Sequence, residues 1–443
     1  MYIDSWLHVN KSEITRDEYK FITDSLTRLD FEFVTSKAKT VKLYGETSKE
    51  LLLPRNFIVK PDIENNSIDG ENIMMGDTVI FRNEIQKNAV DFIIKNNCCI
   101  IKCPPGFGKT VVAIKSISML KKKALIFVDQ LSLADQWIER FIQHSDLKED
   151  DIGILDKKMC LDFPIIISTV QSFLAKIRKD ENKFDELMKN SNFGVTFFDE
   201  VHCIIGPETF TTVCGKCYSK RLIGMSATPY KNLYREIAIK SWLSNNIFSH
   251  GIYELKPIIK VIKFKSKFDS NYRKYIMWRG KFDKRKYYRQ LLKRTDYINM
   301  VSSLLKNAYD KNRKILVLSG LKNEYLKTIR TILIEKYEID ESEIGLFISK
   351  ASRDELKKKI ILSNYTMCYK GIDESSIDTL LFLSSVVSPT YIEQSIGRIL
   401  RIDKNKQSPV VIDFLDTNFL ELENEWKLRN EFYKFNGFEV ECP

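Results

Sequence analysis

No stretch of the 443-residue chain approaches 18 consecutive apolar residues, so no membrane-spanning helix is expected. The first ten residues, MYIDSWLHVN, place an acid at Asp4 and lack the positive-then-apolar order of a secretion signal. The nine cysteines show no disulfide or zinc-finger spacing. The one close pair, Cys214 and Cys217, has no second pair to match it. His202 and Cys203 are near, yet a surface helix and loop is the better reading than a zinc site. A chain this long needs no disulfide staples, so a reducing, cytoplasmic setting is expected. Nothing like a nuclease motif is present, and there is no low-complexity tail for RNA.

What is present is ordinary in amount and uneven in placement. Hydrophobic content of 44% and charged content of 29% suit a globular protein, long enough for two or three domains. The net charge is +11. Lys and Arg number 10 against 14 acids in residues 1–78, 24 against 19 in 79–245, and 36 against 26 in 246–443. Within the last part, residues 266–294 hold eleven basic residues and two acids. A polyanionic partner is the natural expectation.

The pattern divides the chain into a small N-terminal α/β domain (1–77) and two tandem α/β units (78–245 and 246–443). Residues 13–29 have helical spacing with Ser12 placed to cap them, followed by β-like runs FEFVT, TVKLYG and ELLLP. The polar stretch 61–76 reads as a linker. Then apolar runs alternate with helical segments: CCIIKC, ALIFVD, PIIIST, VTFFDE and RLIGMSAT, and later PIIKVIKF, KILVLSG, EIGLFIS, KKIILSN, TLLFLSS and PVVIDFLD. That rhythm predicts parallel sheets flanked by helices, an α/β fold used twice.

Residues 103–110 read CPPGFGKT between an apolar strand and a helix start. Converging backbone N–H groups and the helix dipole would hold a phosphate chain there. Gly106 and Gly108 let the backbone turn, Lys109 would reach the terminal phosphates, and the Thr110 hydroxyl would ligate Mg²⁺. About ninety residues on, FFDEVH ends a strand in two acids. In a parallel sheet that edge also carries the phosphate loop, so Asp199 can hold Mg²⁺ and Glu200 can orient or deprotonate a water.

GKT at 108–110, DEVH at 199–202, SAT at 226–228 and Gln394-x-x-Gly397-Arg398-x-x-Arg401 occur in the order found in superfamily 2 helicases of the DEVH-box kind. The chain resembles that family over residues 79–443. The resemblance implies two RecA-like domains, with ATP and Mg²⁺ as cofactors. It implies nucleotide contacts from Arg82, Gln86, the loop residues Pro105, Gly106, Phe107, Gly108, Lys109 and Thr110, and from Gly371 and Asp373. Gln86 would read the adenine. Arg398 and Arg401 match arginine fingers, Gln394 the γ-phosphate sensor, and His202, Ser226, Ala227 and Thr228 the coupling of hydrolysis to movement. Thr169, Gln171 and Thr366 resemble strand-contacting positions. Asp129 and Gln130 stand where relatives have Pro-Thr, and Trp137 just beyond is read as core.

The basic segment 266–294 interleaves its cations with Phe268, Tyr272, Tyr275, Trp278, Phe282, Tyr287 and Tyr288. Cations can neutralise phosphates while aromatics stack on bases, so Arg279, Lys281, Arg285 and Tyr287 are expected at the strand. The alternative is an amphipathic arm whose aromatics pack on the second unit. The short N-terminal domain and the closing RNEFYKFNGFEV resemble phage branch-migration helicases of the UvsW type. That implies a DNA translocase on branched duplexes, working with single-strand-binding or recombination proteins. The N-terminal domain would engage duplex DNA through Lys37, Lys39 and Lys42. A viral RNA helicase or transcript-release ATPase, and a non-catalytic nucleic-acid-binding module, are the alternatives.

Overall fold

The computed structural model describes the chain except for residues 32–37, 58–62, 156–160, 204–205, 231–232, 252, 254, 268–269, 279–280, 322, 349–350, 373, 404–405 and 443. Two compact units emerge, Met1–Gly251 and Ile252–Pro443.

The first unit begins with a small sheet of order β5-β6-β2-β1-β7, formed by β1 (Tyr2–Ile3), β2 (Leu7–Asn10), β5 (Gly45–Glu46), β6 (Glu50–Leu53) and β7 (Glu64–Asn65). Leu7, Val9, Leu51 and Leu53 turn inward against Ile22 and Leu26 at the end of α1 (Arg16–Ser25). A hairpin of β3 (Thr27–Phe31) and β4 (Ala38–Lys42) follows. The helix is capped by Thr15, not Ser12. Thr15 Oγ1 accepts the Glu18 N–H while the Glu18 carboxylate takes the Thr15 N–H, a reciprocal pair that Ser12 cannot make three residues earlier. Ser12 instead lies in a 3-10 turn capped by Asn10.

The polar stretch expected as a linker is bonded along the motor-like sheet. Ile68 bridges to Ser219, Asn72 to Lys122 and Asp77 to Ser145. Gly70, at φ +88°, lies so close to Gly194 that a Cβ would sit 2.2 Å from its Cα. Arg55 completes the seam. It is buried, and its guanidinium donates to Ser5 O (3.1 Å), Ser219 O (2.6 Å) and Cys217 O. Trp6 meets Trp242 edge-on at 4.9 Å.

The large sheet of this unit contains β8 (Cys98–Lys102), β9 (Ala124–Val128), β10 (Ile152–Ile154), β11 (Ile165–Thr169), β12 (Val195–Asp199), β13 (Arg221–Ser226) and β14 (Ile247–Ser249). All pairings are parallel, in the order β10-β11-β9-β12-β13-β8-β14. The helices α2 (Glu84–Lys95), α3 (Lys109–Leu120), α4 (Leu131–His144), α5 (Val170–Lys179), α6 (Glu181–Asn190), α7 (Pro207–Cys214) and α8 (Leu233–Leu243) cover it. Two separate apolar clusters result, one containing Ile101, Ile126 and Phe197, the other Ile100, Phe127 and Phe198. Neighbouring residues of one strand thus enter opposite cores, which is why these strands read as unbroken apolar runs.

The second unit repeats the plan with β15 (Ile258–Phe264), β18 (Ile315–Ser319), β19 (Ile344–Phe347), β20 (Ile360–Asn364), β21 (Thr379–Phe382), β22 (Val410–Asp416) and β23 (Glu439–Glu441). The order is β19-β20-β18-β21-β22-β15-β23, again all parallel. Counting each sheet's strands from its own first, both orders are 3-4-2-5-6-1-7. Between β15 and the next sheet strand lie α9 (Ser270–Ile276), the two-stranded ribbon β16 (Met277–Trp278) and β17 (Lys281–Phe282), α10 (Lys284–Leu291) and α11 (Thr295–Asp310). The remaining helices are α12 (Glu324–Glu335), α13 (Tyr365–Gly371), α14 (Pro389–Ile399) and α15 (Leu420–Phe435). No helix among the described residues is long and apolar enough to cross a membrane.

Candidate nucleotide site and strand-contact surfaces

Three adjacent strands bring the first unit's motifs to one edge. β8 pairs with β13 so that Lys102 faces Ser226, and β13 pairs with β12 so that Met225 faces Asp199. The 103–108 loop, the SAT turn and the acid pair therefore leave the sheet side by side, at its carboxyl end. Cys103 N–H donates to Ser226 O at 3.2 Å, fastening the loop to the turn. Cys103 itself is buried, and burial pushes its thiol up to about 11, so it packs as a small hydrophobe.

Within the loop Gly106 and Gly108 have φ of +82° and +91°, which glycine adopts without Cβ clash. A Cβ on Gly108 would also meet Arg82 Nη2 at 2.6 Å and Gln86 Nε2 at 2.7 Å. Those two side chains brace the loop: Arg82 donates to Gly106 O (2.9 Å) and Gln86 to Phe107 O (2.6 Å). Gln86 Oε1 accepts the Arg82 N–H, so the pair is mutually fixed. Lys109 opens α3 and folds back over the loop, its Nζ 3.0 Å from Cys103 O and 3.3 Å from Pro104 O. Phe107 is buried against the His250 ring. Pro105 and Thr110 are half-buried at the loop's ends.

At the end of β12, Asp199 Oδ1 accepts the Glu200 N–H (3.0 Å) and Oδ2 accepts Trp137 Nε1–H (2.9 Å). Burial, and then the Glu200 charge, push Asp199 up to about 6, against the opposing effects of Trp137 and Lys109. Glu200 has φ +46°, a left-handed conformation uncommon outside glycine, and such strain gathers where side chains must be aimed. His202 is buried, with Nδ1 2.6 Å from Ser226 Oγ and 3.3 Å from Glu200 Oε2. Ser226 Oγ accepts the Thr228 N–H at 3.0 Å, and Ala227 is buried between them. Arg235 donates to His202 O at 3.0 Å from α8. Two adjacent carboxylates beside a hydroxyl at a helix start are hard oxygen donors of the kind Mg²⁺ takes. A divalent cation would also relieve the repulsion that raises Asp199.

Sequence reasoning missed Trp137 and Arg235 as parts of this network. Trp137 is buried, as its core reading expects, but a buried indole N–H needs an acceptor, and Asp199 is the one it has. Arg235 carried no sequence signal. Cys214 and Cys217 are buried, with Cys217 Sγ donating to Val213 O at 3.2 Å. No cluster of three or more metal-ligating side chains occurs among the described residues.

In the second unit Gln394 and Arg398 lie on α14, and Arg401 follows it. Gln394 is buried, and its Nε2 has no hydrogen-bond partner in the structure. Arg398 lies against the buried Cys368 thiol. Lys406 Nζ donates to Arg401 O (2.8 Å) and Ser375 O (3.0 Å), which pins the backbone carrying that arginine. Burial lowers the Lys406 ammonium to about 8. Thr366 is exposed on the first turn of α13, and Gly371 ends that helix. Asp373, Arg279, Phe268 and Lys37 lie outside the described residues.

Of the strand-contact candidates, Thr169 caps α5: its Oγ1 accepts the Ser172 N–H at 3.1 Å. Gln171 beside it is exposed. On α10 the basic and aromatic residues separate. Arg285 and Arg289 are exposed, as is Lys281 just before the helix, whereas Tyr287 and Tyr288 are buried. Tyr287 OH donates to Asp416 Oδ2 at 2.6 Å, so the strand contact expected of Tyr287 gives way to a core role. The cause is amphipathicity: the helix turns its tyrosines with Leu291 inward and leaves arginines to solvent. Tyr275 stays 44% exposed with Lys286 Nζ 5.1 Å from its ring centre.

Residues 81–231 match the family described as type III restriction enzyme, res subunit. A protein of Acanthamoeba polyphaga mimivirus described as an ATP-dependent RNA helicase is 28% identical, over 98% of this chain and 85% of its own length. The transcript termination protein A18 of Yaba monkey tumor virus is 25% identical over 87% of this chain and 84% of its own. These likenesses support an ATP-dependent helicase of superfamily 2. S. cerevisiae Dbp5, solved with RNA and ADP BeF3, shares the helicase fold at 16% identity with a TM-score of 0.54, covering 81% of this chain and 88% of that one. The residues matched by the family include the loop, the acid pair and the SAT turn, the same three features that share one sheet edge.

Proposed function

We propose that the chain is an ATP-driven DNA translocase that remodels branched duplexes such as forks and four-way junctions. The observation that carries the ATPase is the delivery of the 103–110 loop, Asp199–Glu200 and Ser226 to one sheet edge by three neighbouring strands. Loop N–H groups and Lys109 hold the phosphates, with Arg82 and Gln86 bracing the loop and Gln86 reading the base. Mg²⁺, held by Thr110 and Asp199, supplies charge neutralisation at the phosphate oxygens. Glu200 takes a proton from the attacking water, and Arg398 and Arg401 stabilise the charge that develops on the transferred phosphoryl group. Such fingers are worth roughly 10³–10⁵ in rate. The exposed Lys281, Arg285 and Arg289 support contact with a phosphate backbone.

Transcript release is the second reading. The near full-length likeness to the mimivirus and poxvirus proteins favours it. ATP hydrolysis measured with duplex DNA, single-stranded DNA and RNA, alongside strand exchange on synthetic four-way junctions, separates the readings. Junction-stimulated hydrolysis with strand exchange is expected. Equal stimulation by RNA without junction processing would refute the branched-DNA reading.

A further inference from the structure

Trp137 belongs to the metal chemistry of the acid pair, although it is neither acid nor base. It is 2% exposed on α4, packed with Phe141 at a ring separation of 5.9 Å, and its Nε1–H points to Asp199 Oδ2 at 2.9 Å. Its partner's other oxygen takes the Glu200 N–H at 3.0 Å. Each carboxylate oxygen thus accepts one fixed donor and keeps a further acceptor site. The backbone donor is local to Asp199 and moves with it. The indole donor comes from a different element, so it alone ties the carboxylate's plane to the body of the unit. Phenylalanine would fill most of the same space without the N–H, which makes the two contributions of Trp137 separable.

We propose that Trp137 is a positioning residue for the metal-binding carboxylate, holding Asp199 in the orientation from which it takes Mg²⁺. This rests on reading Asp199 as the Mg²⁺ ligand. Outer-sphere partners of metal ligands are worth about 10–100-fold in metal affinity or activity. The orienting role should therefore appear in the Mg²⁺-dependent part of nucleotide binding and not in the rest.

The test measures binding of a fluorescent ADP analogue to the full chain in Mg²⁺ and in EDTA, for wild type, Trp137→Phe and Asp199→Asn. The ratio of the two affinities reports the metal's contribution. In W137F that ratio should fall about tenfold while the EDTA affinity stays within twofold. A defect of packing alone would weaken binding in both buffers and leave the ratio intact, which would overturn the proposal. Trp137→Tyr, which also lacks the indole N–H, serves in its place should W137F not fold. D199N separates the two levels: an unchanged ratio there refutes Asp199 as the metal carboxylate and the proposal with it. A collapsed ratio in D199N beside a full ratio in W137F refutes the role of Trp137 alone.

Discussion

Replacing Asp199 with asparagine should make the nucleotide-free protein more stable while abolishing its ATP hydrolysis. Asp199 is raised from an ordinary 3.8 to about 6 by burial and by Glu200. That is about two units, or ~3 kcal/mol at 1.36 kcal/mol per unit. The sign follows from linkage. A carboxyl whose folded pKa exceeds its unfolded one holds its proton better when folded, so ionisation costs folding free energy. The cost is absent below 3.8, grows through the window up to about 6, and is complete above it. At pH 8 the wild type therefore carries up to ~3 kcal/mol of strain, and at pH 5 about half of that. Asparagine carries none, and its amide oxygen can still accept a hydrogen bond from Trp137 or from the Glu200 N–H. Urea unfolding of the full chain without nucleotide, following the first unit's transition at pH 5, 6.5 and 8, reads the difference directly. D199N should gain most at pH 8 and least at pH 5. No gain at pH 8, or a gain that does not shrink on acidification, would refute the electrostatic account of the site.

Three further outcomes are expected. Lys109→Ala should abolish ATP hydrolysis and leave salt-sensitive DNA binding, checked by filter binding against salt. Replacing Lys281, Arg285 and Arg289 together should reduce the log–log salt slope by about 0.9 for each duplex phosphate left without its cation, whereas Tyr287→Phe should leave the slope unchanged and lower stability by about 1–3 kcal/mol. Arg429 is paired with Asp413 at 2.8 Å, both 1% exposed. Arg429→Met should destabilise the second unit by about 3–5 kcal/mol in urea, and adding Asp413→Leu should recover much of that stability, because the unpaired buried carboxylate is then gone.

The sheets were legible because strands buried on both faces are continuous apolar runs with no competing reading. The strands that sequence did not reveal are β10, β14 and β23, each three residues long and at a sheet edge, where Ile247–Ser249 and Glu439–Glu441 have too few apolar residues to stand out. The ATP-site motifs were legible because their spacing is local and their order distinctive. Trp137 and Arg235 were not, since each reaches the acid-pair network from another element, and only the folded register brings α4 and α8 to β12. Tyr287 was misread for a related reason. Composition shows that a segment is basic and aromatic, but only the helix's phase shows which set faces out. The Thr15 cap shows the same limit at short range: both Ser12 and Thr15 can cap a helix, and the Glu18 carboxylate decides between them.

The shared strand order of the two units gives the basic segment an address. In the first unit, the chain leaving the first strand of the sheet, β8, forms the glycine loop and enters α3. In the second, the chain leaving the corresponding strand, β15, runs through α9, the ribbon and α10 before it enters α11. The same exit from the same fold has thus been put to two ends. One copy keeps a six-residue turn of bare amides, Cys103 to Gly108; the other was opened and filled with residues 265–294, dense in lysine, arginine and tyrosine. Because that exit tolerates so long an excursion without disturbing the strand order, it is the place where relatives of this chain can exchange or resize an arm while leaving both sheets intact.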